Sequence, residues 1–228
     1  MTKLLSIGAD YKTVKGEKKG YMTGIIYMSP GNLSGKNLCS FASKGCLKTC
    51  LYTAGRGVFE SVKTARMKRT ELYNNNRSEF FNQLISEISK LENKAKRKNM
   101  VPVVRLNGTS DIPYELMPVN GKRNIMSHFQ HIQFYDYTKN PFRFKDLPDN
   151  YNLTFSRSES NEAQIKLLPE DVNVAIVFSK IMAGKIIFNR TILDGDNSDL
   201  RFLDPRKSIV GLTAKGKARK DTSGFVVK

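Results

Sequence analysis

Two stretches with helical periodicity lie in the first half of the chain. Residues 58–74, "VFESVKTARMKRTELYN", contain neither Gly nor Pro. Residues 77–98, "RSEFFNQLISEISKLENKAKRK", place Phe80, Phe81, Leu84, Ile85, Ile88 and Leu91 at helical spacing and end in a basic turn. That spacing predicts a helix with one face on a core and the other in water. Before them, residues 24–28 read as a short strand running into a turn-rich segment. After residue 100 the pattern changes to short β-branched or aromatic runs at 101–106, 132–137, 151–155, 172–178 and 207–212. Helix-compatible segments separate several of these, for example 158–168, where Ser158 or Ser160 is the expected N-cap.

Strands that are apolar on both faces and alternate with helices belong to parallel sheets covered by helices. The expectation is therefore an α/β, parallel-strand-rich single domain over residues 1–228, built as a partial or complete (β/α) barrel-like sheet. Polar loops follow three of the strands: "NGTSDIPYE" after 101–106, "YTKNPFR" after 132–137 and "SRSESNE" after 151–155. Ligands of parallel sheets sit outside the carboxyl ends of the strands. Ser110, Asp111, Glu115, Asp136, Lys139 and Arg157 are thus candidates for one shared pocket, beside Asn107, Ser156 and Glu159, with no catalytic role assigned to any of them. The bland alternative for each residue is a turn former or a helix cap.

Charge narrows the class of partner. The chain carries 38 Lys and Arg against 21 Asp and Glu, a formal charge of +17. That excess exceeds what solubility asks of a small domain and points to a polyanion, nucleic acid first. "FYDYTKNPFRFK" interleaves Phe134, Tyr135, Tyr137, Phe142 and Phe144 with Lys139, Arg143 and Lys145. Rings among cations suit single strands, whose unstacked bases lie on aromatics while cations hold the backbone. The expected phosphate contacts are Lys44, Lys48, Arg56, Arg66, Arg69, Lys139, Arg143, Lys215, Lys217 and Arg219. The last three lie in a basic segment at 213–228.

No run approaches 18 apolar residues and no signal-peptide h-region is present, so no membrane is expected and the protein is expected to be cytoplasmic. Neither a phosphate-loop motif nor a dinucleotide fingerprint occurs. Asp194, Asp196 and Asp199 lack the Gly and Glu of a calcium loop and read as a polar turn paired with Arg201 or Arg206. Nothing in the sequence sets an oligomeric state.

All three cysteines, Cys39, Cys46 and Cys50, fall in a loop at 38–57, with Lys44, Lys48 and Arg56 around them. Cys46 and Cys50 are four apart and share a face of any helical turn, while Cys39 can fold back over the loop at Gly45. Three thiolates on one centre suit an iron–sulfur cluster of the 4Fe–4S type, with one iron left for another ligand, and nearby cations stabilise thiolate and cluster. Zinc is the alternative, with His128 or His131 as a distant fourth ligand. Three unliganded thiols are the remaining reading.

"CSFASKGCLKTCLYTAGRG", "VVRLNGTSDIPYE", "QFYDYTKNP", "YNLTFSRSESNEA" and "LDGDNSDLRFLDPRKSIVGLTAKGKARKDTSGF" together resemble the gene product 88 domain family of phages and mobile elements. The resemblance runs from about residue 20 onward. It implies a phage source and hence the host cytoplasm. "GTSDIPYE" is also similar to the second-strand loop of radical-SAM enzymes, which pair a three-cysteine cluster with an α/β barrel. Their common spacing has three and then two residues between cysteines, where this chain has six and then three.

The expected function is an iron–sulfur protein that binds nucleic acid, single-stranded DNA in first place, in replication or recombination. The alternative is a radical-SAM-like enzyme acting on a nucleic acid or nucleotide, and S-adenosylmethionine enters only under that alternative.

Overall fold

The computed structural model describes residues 2–8 and 11–228. The chain forms strands β1 (Leu5–Ile7), β2 (Tyr21–Ile26), β3 (Val101–Arg105), β4 (Gln133–Thr138), β5 (Tyr151–Ser156), β6 (Val174–Phe178), β7 (Ile186–Ile187), β8 (Arg190–Asp194) and β9 (Ser208–Thr213). Its α-helices are α1 (Tyr11–Glu17), α2 (Lys44–Lys48), α3 (Glu60–Asn75) and α4 (Arg77–Arg97). The strands make one sheet in the order β1-β2-β3-β4-β5-β6-β9-β8-β7. Seven of them run parallel, and β1 and β7 pair antiparallel at the two ends of that order.

The expected α/β domain with a mostly parallel sheet is therefore present. Strands β2 to β6 keep chain order without a reversal, which is the winding of a barrel and not of a doubly wound sheet. Among the described residues no ladder joins β1 to β7. No described helix is long and apolar enough to cross a membrane.

Helix α4 forms where its periodicity predicts. Asn76 caps it by accepting the Glu79 amide at 3.1 Å, and its own side-chain amide donates to Glu79 at 2.8 Å. Phe80, Phe81, Leu84, Ile88 and Leu91 are buried against one face of the sheet with Val104 and Phe134. Each such side chain removed from water contributes roughly 2 kcal/mol. Farther along the sheet, Phe155, Val174, Ile176 and Ile209 continue that apolar layer. On the opposite face Val103 and Tyr135 are covered by Leu200 and Phe202.

The predicted 24–28 strand begins earlier, because Tyr21, Met22 and Thr23 pair with Val101, Pro102 and Val103. Segment 158–168 yields a 3-10 helix over Glu162–Leu167 preceded by Asn161, and the Asn161 side chain accepts the Ser158 amide at 2.6 Å. Neither Ser158 nor Ser160 caps it. The long α3 and α4 both lie in the β2–β3 connection, and the later crossovers use 3-10 turns. The 194–199 turn also differs from expectation. Asp199 is buried and accepts from Arg105 at 3.1 Å, whereas Arg201 pairs with Asp204 at 3.2 Å and Arg206 with Asp171.

Candidate functional site

Parallel registers bring the carboxyl ends of β2, β3, β4, β5, β6, β9 and β8 to one rim. The segments that leave this rim include the cysteine loop after β2, "NGTSDIPYE" after β3, 139–150 after β4, 157–173 after β5 and the basic tail after β9.

Side chains tie these segments together. Glu159 accepts the Ser43 hydroxyl and the Gly45 amide, both at 2.8 Å, and Ser43 caps α2 through the Cys46 amide. A Cβ at Gly45 would crowd Ser223 Oγ and lie 2.7 Å from Glu159 Oε1, so any larger residue there makes both side chains give way. The Asp111 amide donates to Leu38 O at 2.8 Å, while the Asp111 carboxylate accepts the Lys139 amide at 2.8 Å. Gly216, at φ +54°, packs so closely on Ala54 that a Cβ there would lie 2.8 Å from the Ala54 methyl. The basic tail is thereby seated beside the cysteine loop.

The three thiols are half-buried in this rim. Cys39 Sγ accepts the Gly31 amide at 3.5 Å and lies 3.8 Å from Thr109 O, and the Tyr52 amide bonds the Cys50 sulfur. Amide donors on sulfur are what a cluster thiolate uses. Burial pushes the Cys39 thiol up to about 11, with Cys50, Asp111 and Cys46 adding to the rise. Burial also raises Cys50, against the opposing charges of Arg66 and Lys139. Cys39 thus senses the other two sulfurs across the rim, and Cys50 senses Cys46. No set of three or more His, Cys, Asp or Glu at metal-holding spacing occurs among the described residues. Cys46 lies in α2, whereas Cys50 lies two residues past its end.

Both histidines lie elsewhere. His128 bonds Val119 O at 2.8 Å and His131 meets Glu92 at 2.9 Å. They precede β4, at the amino ends of the parallel strands. A strand of six residues spans about 20 Å, so neither reaches the thiols as a fourth ligand.

The pocket candidates divide into two groups. Ser110 donates to Asn107 at 2.8 Å and Lys139 Nζ to Ser156 at 2.7 Å, both partly exposed at the rim. Glu115 and Asp136 are buried below it. Arg143 donates from Nε and Nη2 to Glu115, both at 2.7 Å, from Nη1 to Asp111 at 2.6 Å and from Nη2 to the Tyr151 hydroxyl at 3.0 Å. Tyr151 in turn donates to Asp136 at 3.0 Å. Burial pushes the Asp136 carboxyl up to about 6, opposed by Arg105, the Asn107 amide, Arg143 and Tyr151. Arg157 is also buried, donating to Glu162 at 2.6 Å and to Gly224 O at 2.6 Å, which clasps the segment before residue 228.

The expected phosphate contacts divide in the same way. Lys44, Lys48, Arg56, Lys215, Lys217 and Arg219 are exposed at the rim, with Lys215 3.5 Å from Asp196. Arg143, 4% exposed, is spent on the internal network, and Arg66 is likewise buried. Arg69 donates to Lys3 O at 2.6 Å and to Tyr27 O at 3.3 Å. Burial takes Arg66 and Arg143 out of reach of an outer phosphate, whereas Arg69 is half-exposed. Of the aromatic run, Phe134 and Tyr135 are core, while Phe142 is 77% exposed and meets Phe41 of the cysteine loop at 6.5 Å between centroids.

Sequence reading misses Tyr27, Phe41 and Tyr52 as rim residues. The available signal is position, since Tyr27 follows β2 and the other two flank cysteines. No curated protein and no solved structure matches the chain. A family model described as Gene product 88 matches residues 3–228, and the chain belongs to that family.

Proposed function

We propose that this protein holds a four-iron cluster on Cys39, Cys46 and Cys50 and binds nucleic acid, single-stranded DNA in first place, across the same rim during phage replication or recombination. The observation that carries this reading is the seating of the basic tail on the cysteine loop at Gly216 and Ala54, which brings the exposed Lys217 and Arg219 to the same rim as the exposed Lys44, Lys48 and Arg56. Phe41 and Phe142 add exposed rings to that basic rim. The donor set suits iron and sulfide: three thiols, two amide donors to sulfur and adjacent cations. Zinc with a Cys3His set is disfavoured by the place of His128 and His131.

The test is an anaerobic iron and sulfide assay with the visible spectrum, comparing wild type with Cys46→Ser, followed by single-strand binding over a salt series. Iron and sulfide in the wild type, lost in Cys46→Ser, support the cluster. Affinity that falls with salt at a slope near −0.7 per neutralised phosphate supports the nucleic-acid face. A colourless, metal-free wild type, or binding insensitive to salt, would overturn the respective half.

One observation favours a second reading, a radical-SAM-like enzyme on a nucleic-acid or nucleotide substrate. The cysteine loop leaves the carboxyl end of β2, the first of the parallel strands, and faces Ser110, Asp111 and Lys139 across the rim. Three thiolates leave one iron open, and S-adenosylmethionine bound there would supply radical initiation. In this reading Asp111 holds the loops in register and Lys139 offers a cation. Release of 5′-deoxyadenosine on anaerobic reduction with S-adenosylmethionine would select it, and an unperturbed cluster spectrum would reject it.

A further inference from the structure

Arg66 differs from the other buried arginines. Arg143 has Asp111 and Glu115, Arg157 has Glu162, Arg201 has Asp204, and Arg190 senses Glu170 and Asp171. Arg66 is 6% exposed, and its Nε and Nη1 are buried without a hydrogen-bond partner. Its guanidinium lies 5.3 Å from the Tyr27 ring and 5.3 Å from the Tyr52 ring. The groups whose charge it senses are Tyr27, Cys50 and Tyr52, with no carboxylate among them.

A guanidinium cannot shed its proton, so burying one without an anion is costly unless an anion arrives. Ring faces offset part of that cost and leave the N–H edges unused. Tyr52 links Arg66 to the cysteine loop. Tyr52 stacks on Arg66 through its ring and bonds the Cys50 sulfur through its amide, so one residue fixes both groups. Lys139 also acts on Cys50, but its ammonium is already engaged by Ser156 at 2.7 Å.

We infer that Arg66 is the built-in counter-cation of the cysteine centre, a positioning residue whose unpaired N–H edge is reserved for the negative charge that an iron–sulfur cluster brings to Cys50. This rests on the cluster reading. Reduction adds a further negative charge to the cluster, so a cation whose charge acts on Cys50 favours the reduced form and raises the midpoint potential. Arg66 needs no contact with nucleic acid in this role, which agrees with its burial.

The experiment uses the full chain reconstituted anaerobically as wild type, Arg66→Gln and Arg66→Lys. Iron and sulfide content and the midpoint potential are read together. Arg66→Gln is expected to shift the potential to more negative values at equal iron content, and Arg66→Lys, which keeps the charge, to stay near the wild type. If Arg66→Gln fails to fold by circular dichroism, Arg66→Met takes its place as the neutral variant. Equal potentials in the wild type and the neutral variant at equal iron content would overturn the inference and leave the cluster reading standing. A wild type that takes up no iron would overturn both.

Discussion

Glu159 and Gly45 meet where there is no room for a side chain: Oε1 accepts the Gly45 amide at 2.8 Å, and a Cβ would lie 2.7 Å from the same oxygen. Oε2 takes the Ser43 hydroxyl, so one carboxylate anchors the start of α2 to the loop after β5. Gly45→Ala must displace both Glu159 and Ser223, and Glu159→Ala removes the acceptor of the Gly45 amide. Each is expected to cost roughly 1–3 kcal/mol. Urea unfolding reads that loss, and iron uptake is expected to fall in parallel because the loop loses its seat.

The exposed cations should act through phosphates alone. Lys217→Ala and Arg219→Ala are each expected to reduce the steepness of the salt dependence of single-strand binding by about 0.7, with thermal stability unchanged. Fluorescence anisotropy over a salt series measures this. An unchanged slope in the double variant would remove the tail from the interface.

Phe142 and Phe41 should contribute through bases. Phe142→Ala is expected to weaken binding of a natural oligonucleotide by roughly 1–3 kcal/mol per stacked base and to leave binding of an abasic oligomer unchanged. Equal loss on both oligomers would assign Phe142 a structural role.

Breaking the internal network should instead affect folding. Arg143→Met leaves Asp111, Glu115 and the Tyr151 hydroxyl without their donor, with an expected cost of about 3–5 kcal/mol in unfolding free energy. A stable variant with weakened DNA binding would reverse this assignment.

Asp136 makes stability depend on pH. Its folded carboxyl titrates at about 6, above the ordinary value of 3.8, so the folded state binds the proton more tightly than the unfolded one. Stability from this group is fully present below about pH 4 and is lost as pH rises through 6, by up to about 3 kcal/mol. Asp136→Asn removes that dependence. The difference in unfolding free energy between wild type and Asp136→Asn, followed from pH 4 to 7, is expected to move against the wild type, and a flat difference would contradict it.

These assignments mark where the sequence was legible. The helical spacing of Phe80, Leu84, Ile88 and Leu91 identifies α4, because a one-sided apolar stripe fits only one period. The strands at 101–106 and 151–155 are legible for another reason, as short β-branched or aromatic runs. Strands β7 and β8 are not, since Arg190 and Thr191 interrupt any apolar run and β8 is held as a strand by its pairing with β9 and β7. At the rim, loop position after each strand was readable, but the inward or outward course of a side chain was not. Arg143 and Lys217 look alike as letters, and only tertiary packing assigns one to Glu115 and the other to solvent. The sequence likewise offers no way to see that Arg66 lacks the carboxylate its neighbours have.

The seating of Gly216 on Ala54 also has a temporal side. The cysteines leave the ribosome long before residue 216, and Glu159 emerges between them. During synthesis the thiols are therefore displayed on a loop without its Glu159 anchor and without the tail seated beside it. Under the proposed cluster reading, a centre loaded at that stage would lack both the Glu159 anchor and the seated tail, so assembly is expected to follow synthesis of the whole chain.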